Sequence, residues 1–188
     1  MARYSKEHRD KTRAHLLETA RREFRLHGFD ALSIDKLTAA AGLTRGAFYV
    51  HFASKEALVS EVLEIEAGLL EALREAAGKR SKKELAAQAF EAYLDPEHRD
   101  ELVQCPLVAH PMDARRGGPG RAERYAAQVA SLVDAVTDVV GDSREDDAIA
   151  ITVMAIGAAV LSSATDAPLA ERVAGVARSE IRRRMKRR

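Results

Sequence analysis

The chain is 188 residues long, 46% hydrophobic and 31% charged, which is enough apolar material for a sizeable core in one large domain or in a small one joined to a medium one. Five prolines and eleven glycines are too few for a fibrous or low-complexity chain, and the single cysteine, Cys105, can form neither an internal disulfide nor a structural zinc site. The formal net charge of +1 conceals a segregation: residues 1–60 carry 11 Lys and Arg against 7 Asp and Glu, residues 61–177 carry 12 against 21, and residues 178–188 carry 7 against 1. A basic N-terminal module ahead of an acidic body suits only one part of the molecule to a polyanion. Met1–Lys6 is basic with no apolar stretch behind it, so no secretory signal is expected, and the chain is assigned to the cytoplasm.

The dominant period is helical. In Lys11–His27, Ala14, Leu17, Ala20 and Phe24 form one apolar stripe, and Gly28 stands where a left-handed residue closes a helix. Ser33 caps a short second helix, Thr44 a third and Ser54 a fourth, which runs from Lys55 to about Ala77. After the break at Gly78-Lys79-Arg80-Ser81, a fifth helix covers Lys82–Leu94, and Asp95-Pro96 starts a turn. Cys105-Pro106 opens a sixth helix that ends at Gly117-Gly118-Pro119-Gly120. A seventh spans about Arg121–Val140, an eighth Arg144–Thr165 and a ninth Leu169–Arg187. No alternating strand-length run and no fixed repeat appears, so the fold class is all-α. Ala148–Thr165 is 18 uncharged residues, near the length of a membrane span, but it is rich in Ala, Ser and Thr and flanked by Asp147 and Asp166. A buried helix is expected there.

Ser33 to Phe52 has the layout of two short helices joined by a tight turn at Ala41-Gly42-Leu43-Thr44. Gly42 supplies the positive φ of a quick reversal. Ile34, Leu37, Leu43, Phe48 and Phe52 can point inward, which leaves Thr44, Arg45, Gly46, Ala47, Tyr49, Val50 and His51 outward. Donors and small residues on such a face suit close approach to a major groove.

In these residues the chain resembles the TetR family of transcriptional regulators. The likeness rests on Ala20 and Phe24, Gly28-Phe29, Leu32-Ser33-Ile34, Ala41-Gly42-Leu43-Thr44, Phe48-Tyr49-Val50-His51-Phe52 and Ser54-Lys55-Glu56-Ala57-Leu58, in order across about residues 11–60. Thr38 departs from the alanine usual in the family. The resemblance implies a three-helix helix-turn-helix DNA-binding domain over 1–55. A helical ligand-binding and dimerisation domain would follow over 56–188, with about nine helices in all. It further implies that Ser33 meets a phosphate and that Thr44 caps the recognition helix and touches DNA. Arg45 would read a base edge, with Gly46 and Ala47 allowing close approach, while Tyr49, His51 and Lys55 hold the backbone. Double-stranded operator DNA, a homodimer through the last two helices and a small-molecule effector would be the partners, with no cofactor, and the chain would act as a repressor rather than an enzyme.

The acidic body carries weaker signals. Candidate pocket residues are Phe90, Tyr93, His98, Cys105, His110, Met112, Tyr125 and Met154, each also an ordinary core or surface residue. Cys105 before Pro106 can cap a helix whose dipole favours thiolate, which admits an electrophile- or oxidant-sensing repressor, and the bland alternative is a buried, inert cysteine. A cysteine-dependent enzyme lacks a readable orienting group, a nonspecific DNA organiser would show no base preference, and a metal site from His98, His110 and Asp113 lacks a compact spacing. The basic tail 178–188 reads either as extra polyanion binding or as the solvated end of the last helix, whose cations suit its dipole.

Overall fold

The computed structural model describes residues 6–64, 68–95, 97 and 105–187. Among these there are eleven α-helices, one 3-10 turn and no strand, an all-α fold as expected. The helices are α1 (Lys6–His27), α2 (Ile34–Ala40), α3 (Arg45–His51), α4 (Lys55–Glu64), α5 (Gly68–Ala77), α6 (Lys82–Tyr93), α7 (Pro106–Ala109), α8 (Pro111–Arg116), α9 (Pro119–Val140), α10 (Glu145–Ser163) and α11 (Ala167–Lys186). They fall into two compact units, Met1–Ile65 with Met112–Arg124, and Glu66–Pro111 with Tyr125–Arg188.

In the first unit α2 and α3 have seven residues each, too few to be stable alone. They are held by a core of Leu16, Ala20, Phe24, Phe29, Leu32, Leu37, Phe48, Phe52, Leu58, Val59, Val62 and Leu63. Each large side chain buried there contributes about 1.5–3 kcal/mol. The apolar stripe of α1 is Leu16, Ala20 and Phe24, spaced by four, while Ala14 of the expected stripe is exposed and Leu17 only half-buried. The 3-and-4 spacing of the two stripes differs by a small rotation about the helix, and the larger Leu16 takes the core side. Gly28 closes α1 with φ +77, its N–H donating to the Phe24 carbonyl at 2.7 Å. That reversal lets Phe29 turn back edge-to-face on Phe24, with ring centroids 5.0 Å apart. Leu58, Val59, Val62 and Leu63 of α4 bury themselves in this same core, although the sequence reading put everything after residue 55 in a second domain.

The second unit is built on α5, α6, α7, the later part of α9, α10 and α11. Phe90, Leu73, Val136, Val139, Ile151, Ile181 and Met185 fill its core. Helices α10 and α11 meet through Ala155, Ala158 and Ala159 on one side and Ala170, Ala174 and Ala177 on the other, all buried. Such small side chains allow the backbones to approach closely, and Ser162 Oγ reaches the Ala170 carbonyl at 3.3 Å. The segment Asp142–Ser163 is long and apolar enough to cross a membrane. Here it buries Ala148, Ile151, Thr152, Ala155, Ala158, Ala159 and Ser162 against its own unit.

The expected fourth helix is described in two stretches, α4 and α5, with residues 65–67 between them outside the described ones. Two boundaries differ from the sequence reading. The expected sixth is two helices, because Pro111 has no N–H to donate and forces His110 out of helical geometry, to φ −124 and ψ 24. Helix α9 starts at Pro119 rather than Arg121, using the fixed φ that suits a first helical position. The basic tail is the end of α11. Arg182 pairs with Glu91, Arg183 with Glu180 and Arg184 with Asp147, so much of its charge is spent within its own unit.

Candidate nucleic-acid interface

The segment 33–52 is set by local chemistry at every joint. Ser33 caps α2, its Oγ accepting from Lys36 N–H at 3.2 Å. Thr38, the departure from alanine, is buried and donates its hydroxyl to the Ile34 and Asp35 carbonyls at 3.0 and 3.1 Å, so its polarity is satisfied inside the helix. Helix α2 ends in a paired closure: Gly42 N–H donates to Ala39 O at 3.1 Å and Leu43 N–H to Thr38 O at 2.8 Å. This closure needs the φ of +65 found at Gly42, where a side chain would meet open space but a strained backbone. Thr44 then caps α3, accepting from Ala47 N–H at 3.2 Å, and Ser54 caps α4, accepting from Ala57 N–H at 3.1 Å.

With both short helices fixed, the inward and outward faces separate. Leu37, Phe48 and Phe52 are buried, and Ile34 and Leu43 are half-buried. Thr44, Arg45, Gly46, Tyr49 and Val50 are exposed, as is Ser33, whose hydroxyl proton remains free to donate after the cap is made. Ala47, His51 and Lys55 are half-buried. Nothing lies within 3.8 Å of a side chain built on Gly46, and the atom at that distance is Thr44 Oγ1, so the surface there is open to a close-approaching partner.

Arg45 is not idle. Its Nη1 donates to both Asp35 carboxylate oxygens, at 2.9 and 3.2 Å. The Tyr49 hydroxyl first and Asp35 second hold its pKa above the ordinary arginine value. His51 goes the other way: burial, then the positive charges of Arg9 and Arg13, hold its pKa below the ordinary histidine value against a smaller opposing effect of Asp10.

Two features were missed by the sequence reading. Arg121 on α9 is 7% exposed and bridges residues far away in sequence. Its Nε donates to Glu56 Oε2 and its Nη1 to Asp30 Oδ1, both at 3.0 Å, and its guanidinium lies 5.4 Å from the Phe29 ring centre. The Glu56 carboxyl is held below its ordinary pKa chiefly by that hydrogen bond. No local pattern marks such a partner. The second feature is a basic row on α1, Lys6, Arg9 and Arg13, which turns toward His51. Its i, i+3, i+7 spacing on one helix face was the available signal.

In the second unit Phe90 and Cys105 lie in the core, Tyr93 and Tyr125 are packed against it, and His110 is buried. Burial first, and the neighbouring Cys105 thiol second, push the Tyr93 phenol far above its ordinary pKa, so it is a neutral donor. Its hydroxyl makes no hydrogen bond of normal geometry among the described residues. Tyr125 donates to the Leu107 carbonyl at 2.8 Å. Cys105 occupies the N-cap position of a helix of only four residues, makes no side-chain capping bond there and is 6% exposed. Of the other candidates, Met112 is 54% exposed and belongs to the first unit, and Met154 lines an open groove between α10 and α11. His98 lies outside the described residues. Among the described residues no group of three metal-binding side chains is found.

A capped pair of short helices, with its second helix laid open on one polar face, is a helix-turn-helix, the architecture that places a helix in a DNA groove. Residues 16–62 match the family model described as bacterial regulatory proteins, tetR family. The HTH-type transcriptional regulator AcrR of Shigella flexneri is 43% identical over 65 residues, 35% of this chain and 30% of that protein. An HTH-type transcriptional repressor of Mycobacterium tuberculosis is 28% identical over 138 residues, 73% of this chain and 69% of that one. The chain thus spans less than half the length of the first curated relatives it matches. A solved complex of SmeT with triclosan superimposes with a TM-score of 0.76 at 17% identity, covering 91% of this chain and 90% of that one. A TetR-family regulator from Streptomyces coelicolor does so with 0.73 at 20%, covering 94% and 91%. At such identities the likeness is one of fold. Residues 16–62 thus carry the helix-turn-helix of the tetR family of bacterial regulatory proteins, and over nearly its whole length the chain is similar in fold to regulators of that family.

Proposed function

We propose that this chain is a ligand-responsive transcriptional repressor of the cytoplasm, a homodimer that holds a two-fold operator and leaves it when a small molecule binds the second unit. The observation that carries this reading is the face of α3. Thr44, Arg45, Gly46 and Tyr49 stand exposed on a helix fixed by a cap, a glycine closure and a phenylalanine core. Arg45 reads a base edge after leaving Asp35, and Thr44, Gly46 and Ala47 bring the helix close. Ser33, Tyr49, His51 and Lys55 hold phosphates and set the register. One such head covers half a site, so two heads related by a two-fold axis are needed.

The dimer surface is the outer side of α10 and α11. Leu161, Leu169 and Val176 are 55%, 44% and 66% exposed along a groove of about 390 Å3, and Val153 on α10 is 64% exposed, an apolar face of the kind a second copy covers. The effector site lies beside Tyr93, Cys105 and Tyr125, near Phe90 and His110, where the buried Tyr93 hydroxyl makes no hydrogen bond of normal geometry among the described residues and suits an acceptor on the ligand. SmeT, a protein of the same fold, was solved with triclosan bound. For the ligand to release DNA it must bind the released conformation more tightly than the bound one.

The test is anisotropy of labelled DNA from the promoter beside the chain's own gene, titrated with salt and competitor. Selective binding is expected, and Arg45→Ala should weaken it about 5- to 150-fold and relax preference at one base position. Equal binding to promoter and competitor would overturn the repressor reading.

A further inference from the structure

We propose that Lys6 and Arg9 of α1, with His51 of α3, form a binding site for a DNA backbone phosphate beyond the base-reading end of α3. This rests on the DNA-binding reading above and extends it to a helix outside the helix-turn-helix.

Lys6, Arg9, Asp10 and Arg13 of α1 and Val50 and His51 of α3 line one cavity of about 470 Å3. The charges in it are unequal in availability. Arg13 is already committed: it pairs with Glu61 of α4, and its guanidinium lies 4.9 Å from the Phe52 ring centre. Lys6 and Arg9 are exposed and make no ion pair among the described residues. Against them stands one carboxylate, Asp10. Two unspent cations beside a half-buried imidazole, with a third cation fixed behind them, make a concave spot that favours an anion. The burial and the positive neighbours that disfavour protonated His51 are the same surroundings that a phosphate would neutralise.

Placement decides which anion. His51 is six residues beyond Arg45 on α3, about 9 Å along the helix axis. The major groove is about 12 Å wide, so a helix that sets Arg45 over a base edge carries His51 toward the groove wall, where the phosphates are. Val50, exposed at the mouth of the cavity, joins the two surfaces. An ammonium and a guanidinium on a phosphate give affinity without sequence preference.

The experiment is a salt titration of binding to the promoter DNA and to a scrambled duplex, for the full chain and two variants. The double variant Lys6→Ala/Arg9→Ala should bind both duplexes more weakly by the same factor. Its slope of log K against log salt should be shallower by about 1, the signature of one lost phosphate contact. Asp10→Asn should bind both more tightly, which guards against reading a folding defect as a contact. An unchanged slope in the double variant overturns the site, and so does a loss confined to one base position. A third arm follows the His51 ring signals by NMR with inorganic phosphate alone; saturation there together with an unchanged DNA slope would mean a site for free anions and overturns the proposal too. If the unaltered chain shows no preference for the promoter over the scrambled duplex, it is the repressor reading that fails, whereas the slopes still report on the phosphate site.

Discussion

In the first unit four buried phenylalanines, Phe24, Phe29, Phe48 and Phe52, fill the space under helices as short as seven residues, whereas in the second α10 and α11 meet alanine to alanine over helices of 19 and 20 residues. Short helices bring little stability of their own, so each must be fixed by a cap, a turn of one geometry and a bulky anchor. Long helices need none of these, and a smooth surface of small residues is enough to hold them together. The first arrangement fixes side-chain positions closely, as the reading of bases requires.

This contrast can be put to the test. The largest effect is expected from Phe24→Ala, which should lower the stability of the first unit by about 3–5 kcal/mol in urea denaturation followed by helical signal, since the void has no neighbour free to fill it. In the second unit a deletion is not the sharpest probe, because its contact residues are already small. Ala155→Leu should instead force α10 and α11 apart and cost about 1–3 kcal/mol. An equal tolerance of both changes would show that the two cores are built alike. Next comes Arg121→Ala. The arginine is buried but Asp30 and Glu56 are 63% and 60% exposed, so both carboxylates are rehydrated once it is gone. The loss in the same assay should therefore be about 1–2 kcal/mol rather than the larger cost of stranding a buried charge.

The smallest effect is on pH, and it separates the units in sequence. His51 has a folded pKa below its unfolded value near 6.5, so as pH falls below 6.5 the unfolded chain takes the proton first and the first unit loses stability. Asp147 of the second unit is held below its ordinary 3.8 by Arg144, then Arg184, so the stability it contributes is complete above that value and is lost only below it. With each rate divided by the intrinsic exchange rate at the same pH, protection of α3 should fall between pH 7.5 and 5.5 while that of α10 stays unchanged, and His51→Gln should flatten the response of α3.

The same contrast explains what could be read from the sequence. Gly28, Ser33, Gly42, Thr44 and Ser54 each dictate the backbone at or next to themselves, and the structure has each at the joint assigned to it. The outward and inward sides of α3 follow from them. In the second unit the alanines suit core, surface and interface equally, so periodicity gave helices but not their partners. The break at Pro111 was legible in principle, as the residue type alone forbids a continuous helix. Arg121 was not: its partners lie 91 and 65 residues away, and only the folded chain joins them. Tyr93 and Cys105 were named together as candidates, but that their side chains are neighbours required the packing of α6 against α7's leading residue.

The pairing of Arg45 with Asp35 has a consequence for how such a protein searches. On the proposed reading of Arg45, the guanidinium on a duplex of the wrong sequence would have a carboxylate at hand and little reason to leave it, so the head would glide over unsuitable bases with its reader folded away. A matching base edge offers two acceptors in a plane and draws the arginine out. Replacing Asp35 by alanine would leave the reader permanently extended, grasping at every phosphate it passes, and the protein would hold DNA more readily while recognising less of it.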